Sequence, residues 1–141
     1  MKKIKNSVCV KFPALGENES FARIIAAGFL SPLGVRVHDM ADIKTMVSEA
    51  VTNAIVHGYG GGEGEIRLEM KFLCDRTLLV SVTDHGRGIE DVEKALEPFY
   101  TTDREGERSG MGLPIMQAFS DSLRLISRPG FTRVTMKKRL P

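Results

Sequence analysis

Ser48-Glu49-Ala50-Val51-Thr52-Asn53-Ala54-Ile55-Val56-His57-Gly58-Tyr59, or SEAVTNAIVHGY, is the stretch on which the reading of this chain turns. It reads as the end of an amphipathic helix. A helix advances about 100° per residue, so Glu49 and Asn53 lie about 40° apart, one turn above the other, and His57 continues the row. The apolar stripe beside them runs through Ile43, Met46, Val47, Ala50, Val51, Ala54 and Ile55. A carboxylate and an amide thus stand at the lip of a core. A carboxylate there can take a proton from an attacking hydroxyl or water. An amide oxygen is a hard donor suited to Mg²⁺. Taken alone, the pair is equally an ordinary solvated helix edge.

Outward from this helix the pattern is mixed. Ile4 to Phe12 alternates as a strand and Pro13 ends it. A helix fits Glu17 to Leu30 with Phe21, Ile24, Ile25 and Phe29 on one face, stopped by Ser31-Pro32-Leu33-Gly34. Asp39 is the expected cap of the next helix, Met40 to His57. Glu65 to Leu73 and Leu78 to Thr83 form a hairpin turning at Asp75-Arg76. From Asp84 to Gly112 glycine, proline and charge replace periodicity. Loops this long inside a compact domain are usually functional. A short helix, Leu113 to Phe119, and two strands, Leu123 to Ser127 and Arg133 to Lys137, complete the chain around a Pro129-Gly130 turn. This order is not alternating βαβ. It predicts one α+β domain over residues 1–141, with helices packed on one face of a mixed, mostly antiparallel sheet.

Composition narrows the class. The 141 residues are 42% hydrophobic and 27% charged, which suits one globular domain. The net charge is +2 with acids and bases interspersed, and gives no basis for nucleic-acid or membrane binding. No apolar run approaches the roughly 20 residues of a membrane span, and the N-terminus lacks a signal core. A cytoplasmic protein is expected. Cys9 and Cys74 fall in strand-like runs and are predicted to be buried free thiols. Met40, Met46, Met111, Met116 and Met136 read as scattered core or loop residues.

Two further motifs bear on chemistry. Asp84-His85-Gly86-Arg87-Gly88-Ile89 ends a strand. An Asp there can accept a hydrogen bond from an exocyclic amine, and glycines at alternate positions let backbone approach a flat ligand. Arg108-Ser109-Gly110-Met111-Gly112-Leu113 opens a helix, where free N–H groups favour a polyphosphate. Neither matches the P-loop or the dinucleotide fingerprint.

In this order, with a long segment between the last two, the three motifs resemble those of the GHKL (Bergerat-fold) ATPases. ENESFARIIAAGF (17–29), SEAVTNAIVHGY (48–59) and TTDREGERSGMGLPIM (101–116) are similar to the anti-sigma serine kinase branch, most of all to its anti-sigma F members from endospore-forming bacteria. The resemblance implies binding of ATP with Mg²⁺. It implies a homodimer that holds a sigma factor of the sigma F type away from RNA polymerase and phosphorylates a serine on an anti-anti-sigma protein. Residue by residue, it makes Glu49 the base and Asn53 the Mg²⁺ ligand. Asp84 becomes the acceptor for the adenine amine, with Gly86 and Gly88 beneath the base. Residues 90–109 become a mobile ATP lid in which Thr101 and Thr102 can touch ligand. Arg108 and the amides of Ser109, Gly110, Met111 and Gly112 face the phosphates. Arg23 becomes a partner contact. Pro114 removes one N–H donor near the phosphates. A stress-type anti-sigma kinase, a nucleotide-gated switch without phosphotransfer and a sensor histidine kinase domain are the competing readings.

Overall fold

The computed structural model describes residues 2–97 and 112–141. Strand β1 (Ile4–Pro13) leads to helix α1 (Glu17–Leu30), a 3₁₀ turn at Ser31–Leu33 and helix α2 (Val37–Asn53), which runs into a π-turn, Ala54–Gly58. The β2–β3 hairpin (Glu65–Leu73, Thr77–Asp84) follows, then short helix α3 (Val92–Ala95), helix α4 (Gly112–Phe119) and the β4–β5 hairpin (Ser122–Arg128, Phe131–Arg139).

The five strands form one sheet in the order β1-β2-β3-β5-β4, and every neighbouring pair is antiparallel. No parallel pair occurs among the described residues, so the sheet is simpler than the mixed one expected. Strand alternation sends Ile66, Leu68, Met70 and Phe72 of β2 and Leu78, Val80 and Val82 of β3 into the core, together with Val134 and Met136 of β5. Arg67, Glu69 and Lys71 lie on the opposite face. The helices cover the apolar face, and α2 packs against both α1 and α4. Its stripe of Ile43, Met46, Val47, Ala50, Val51 and Ala54 is almost wholly excluded from water, so the amphipathic reading of this helix holds.

Four local expectations are corrected. The buried row of α1 is Ala22, Ala26 and Leu30, while Phe21 is 46% and Ile24 68% exposed. Small alanines face the α2 side, Phe21 and Ile24 turn outward, and Ile25 and Phe29 stay half-buried against the core as expected. Only Phe21 gains a ring contact, edge-to-face with Phe12 at 6.4 Å between centroids. Helix α2 begins one turn before Met40, because Met40 N–H already bonds the Arg36 carbonyl. Asp39 is therefore inside the first turn, buried and held by Arg36 Nε at 2.7 Å rather than capping. That hydrogen bond from the Arg36 guanidinium keeps its carboxyl below the usual range.

Cys9 and Cys74 are free but exposed. Cys9 alternates with the half-buried Val8 and Val10, so the pleat turns it out, and Cys74 lies just past the end of β2. The expected unstructured run from Asp84 to Gly112 contains α3, whose start is capped by Asp91 Oδ1 accepting from Lys94 N–H at 3.0 Å. Of the methionines, Met46, Met116 and Met136 are core residues.

Candidate functional site

The site forms where α2 ends. Its α-helical ladder stops at Asn53, and the next turn widens: Tyr59 N–H bonds the carbonyl of Ala54, five residues back, at 3.0 Å. Single π-turns of this kind occur often at functional sites. The helical periodicity predicts an ordinary helix to His57. The π-turn instead points the carbonyls of His57 and Gly58 at the segment after β3. Arg87 N–H bonds the Gly58 carbonyl at 2.9 Å, and Arg87 Nε bonds the His57 carbonyl at 2.7 Å.

Asp84 sits at the end of β3, only 4% exposed, opposite Thr132 of β5 and Ile66 of β2 in the ladders. One carboxylate oxygen, Oδ1, accepts from Gly86 N–H at 2.9 Å. Burial raises the Asp84 pKa, opposed by the Gly86 hydrogen bond and the field of His85. The carboxylate lies directly against the π-turn, since a Cβ added at Gly58 would fall 2.7 Å from Asp84 Oδ1.

The glycines of the Asp84 motif are required by backbone packing. A Cβ at Gly86 would overlap the carbonyl of Gly58, and one at Gly88 would overlap the carbonyl of Arg128. Gly88 also has φ +84°, which favours glycine. Gly86→Ala therefore cannot be relieved by rotating a side chain. It is expected to cost about 1–3 kcal/mol of stability and to displace the Asp84 loop, weakening ATP binding. Urea denaturation and a calorimetric ATP titration measure both effects. Native values for both would contradict this packing.

The first and third motifs meet as well. Glu49 and Asn53 are half-buried on α2. A Cβ added at Gly112, the first residue of α4, would lie 3.4 Å from Glu49 Oε2 and 4.0 Å from Asn53 Oδ1. The α4 start thus stands over the carboxylate and the amide. A hard oxygen set of this kind fits Mg²⁺, which takes few protein ligands and completes its shell with water and phosphate oxygens. Among the described residues no group of three His, Cys, Asp or Glu side chains could hold a metal by itself. Thr101, Thr102, Arg108, Ser109, Gly110 and Met111 lie outside the described residues, as does most of segment 90–109.

Arg23 is exposed on α1. It reaches Glu19 Oε2 at 3.2 Å and Ser20 Oγ at 3.1 Å. The other oxygen of Glu19 accepts from Ser48 Oγ at 2.5 Å, next in sequence to Glu49.

Three supporting residues have roles that the sequence motifs do not reveal, although Arg87 and Tyr59 lie within them. Arg87 fastens the π-turn. Ser127 Oγ, shared with Thr132 Oγ1 at 2.7 Å, accepts from Ile89 N–H at 2.7 Å. Tyr59 accepts from His85 N–H at 2.8 Å. Their partners lie 26 to 38 residues away in sequence, beyond any local pattern.

A two-layer fold of helices on an antiparallel sheet, with a carboxylate–amide pair beneath a helix start and a buried Asp against the turn that ends their helix, fits the histidine kinase-like ATPase class. The model of that family, the histidine kinase-like ATPase domain, matches residues 12–138. The chain is 43% identical over 137 residues to the anti-sigma F factor of Clostridium botulinum (strain Eklund 17B / Type B), covering 96% of this chain and 95% of that protein. It is 47% identical over 125 residues to the anti-sigma F factor of Caldanaerobacter subterraneus subsp. tengcongensis, covering 89% and 87%. The chain belongs to the anti-sigma F factor family of the GHKL ATPases. Among solved structures, the RsbU and RsbW domains of Rv1364c from Mycobacterium tuberculosis match with a TM-score of 0.72 at 23% identity, over 96% of this chain and 33% of that one. The catalytic domain of histidine kinase ThkA matches with a TM-score of 0.61 at 19% identity, over 94% and 95%. At those identities the likeness is one of fold. No described helix is long and apolar enough to cross a membrane.

Proposed function

We propose that this protein is an anti-sigma factor and an ATP-dependent protein serine kinase. It binds and inhibits a sporulation sigma factor of the sigma F type in the cytoplasm. It uses Mg²⁺ and ATP to phosphorylate a serine on an anti-anti-sigma protein, and it works as a homodimer of single kinase domains. The observation that supports the reading is the approach of Gly112 to both Glu49 and Asn53, a carboxylate and an amide beneath a helix start. The names of its relatives supply the biological setting.

Phosphoryl transfer asks a protein for positioning and charge stabilisation more than for covalent chemistry. Asp84, ionised, accepts a hydrogen bond from the adenine amine. The α4 start offers its backbone N–H groups and the positive end of its dipole to the phosphates. Glu49 takes the proton of the partner's serine hydroxyl as that oxygen attacks the γ-phosphorus, while the bond from that phosphorus to the β–γ bridging oxygen breaks and ADP leaves. Asn53 would hold Mg²⁺, which when bound supplies neutralisation of phosphate charge. Arg23, exposed on α1, faces protein partners, where arginine is enriched among energetically dominant contacts.

The test is to mix the protein with Mg·ATP and the anti-anti-sigma protein and follow the partner's mass. One added phosphate, mapped to a serine, is expected. ATP binding without any transfer would replace the kinase with a nucleotide-gated switch.

A further inference from the structure

Tyr59 closes the π-turn and opens the turn that follows it, and its ring and hydroxyl are both committed. A Cβ at Gly64 would overlap the Tyr59 ring, so backbone lies flat against it. The hydroxyl donates to the Glu65 carbonyl at 2.5 Å and accepts from His85 N–H at 2.8 Å. It therefore joins the start of β2 to the residue directly after Asp84.

Three consecutive N–H groups then fix the loop beyond β3. His85 bonds the Tyr59 hydroxyl, Gly86 bonds the Asp84 carboxylate and Arg87 bonds the Gly58 carbonyl. Two of these anchors arise within the motif or from backbone. Tyr59 is the one external side chain in the set, and it acts on the residue adjoining the buried carboxylate.

We propose that Tyr59 is a positioning residue that sets nucleobase selectivity, by holding the Asp84 carboxylate in the register that recognises an exocyclic 6-amino group. This rests on the reading of Asp84 as the acceptor for the adenine amine. If the carboxylate drifts by a few tenths of an ångström, the α4 start still holds the phosphates, but the directional bond to the amine weakens. The loss therefore appears as selectivity and not as a general weakening.

The experiment compares dissociation constants for ATP and for purine riboside 5′-triphosphate, which lacks the 6-amino group. Native protein, Tyr59→Phe and Asp84→Asn are titrated calorimetrically with Mg²⁺ present, with melting temperatures recorded for each. Tyr59→Phe keeps the ring against Gly64 and removes both hydroxyl bonds. Its preference for ATP over the analogue is expected to fall about three- to tenfold, the size of one hydrogen bond, with affinity for the analogue near native. Asp84→Asn is expected to abolish the preference. Equal weakening of both nucleotides by Tyr59→Phe, or an unchanged preference, overturns the positioning role while the Asp84 reading stands. A preference that survives Asp84→Asn overturns the Asp84 reading and, with it, the role of Tyr59.

Discussion

Replacing Glu49 by Gln leaves ATP bound and lowers the rate of phosphoryl transfer to the partner's serine by about 10²–10⁴-fold, the usual worth of a positioned general base. Glutamine keeps the length and hydrogen-bonding capacity of the side chain, so α2 and its contact with the α4 start persist. What disappears is an acceptor able to take the hydroxyl proton. The effect therefore belongs to turnover, not to nucleotide affinity. Single-turnover transfer with partner in excess, alongside an ATP titration, separates the two. A native transfer rate would remove Glu49 from the chemistry. Loss of ATP binding in step with transfer would make it a structural residue of the cleft.

Asp84→Asn is expected to weaken ATP binding about ten- to hundredfold, the value of a hydrogen bond to a charged group of about 1.5–3 kcal/mol. Geometry decides why asparagine is a poor substitute. Asp84 Oδ1 accepts from Gly86 N–H. An amide must keep its oxygen there, which turns its NH₂ group, a donor, towards the adenine amine, also a donor. The same substitution is expected to raise the melting temperature of the nucleotide-free protein at neutral pH. Burial raises the Asp84 pKa above its unfolded value of 3.8. The native state thus binds the proton more tightly than the unfolded chain. Stability is fully present below the unfolded pKa, falls as pH rises through the folded pKa, and stays reduced above it. The amide in the Asp84→Asn variant is neutral throughout, so the melting curves of the two proteins converge on acidification and separate near pH 7. ATP affinity moves in the opposite sense, falling as acid neutralises the acceptor. Melting temperatures equal at pH 7, or native ATP affinity in the variant, would contradict this account.

These residues differ in how far a sequence alone exposes them. Strand ends, the β2–β3 hairpin and the buried stripe of α2 follow from alternation and helical spacing, because each pattern is local and repeats several times. The motif residues Glu49, Asn53, Asp84 and Gly112 are legible as types suited to nucleotide chemistry. Their mutual placement requires the fold. The outward row of α1 defeats a hydrophobicity count because Phe21 and Ile24 outweigh alanines in it, whereas close helix–helix approach selects Ala22 and Ala26 for size. Asp39 resembles a cap because its partner, Arg36, lies upstream of the expected start. The roles of Tyr59, Arg87 and Ser127 escape the sequence for a different reason: each bonds backbone groups far along the chain, which leave no residue-specific trace.

The π-turn between Asn53 and Tyr59 has a bearing on how this segment can evolve. A five-residue hydrogen-bonded step holds one residue more than the α-helical step it replaces. Removing a single codon here would let the helix run on unbroken, swinging everything after Asn53 by about 100° and drawing the Gly58 carbonyl away from Arg87 and Asp84. Substitutions at Ile55 or Val56 change only what a side chain touches. The exposed glycine-rich turn at 60–62 is a far better place for length to vary. Between Asn53 and Tyr59 the number of residues is therefore under tighter constraint than several of their identities, and single-residue deletions should abolish nucleotide binding at 54–58 and spare it at 60–62.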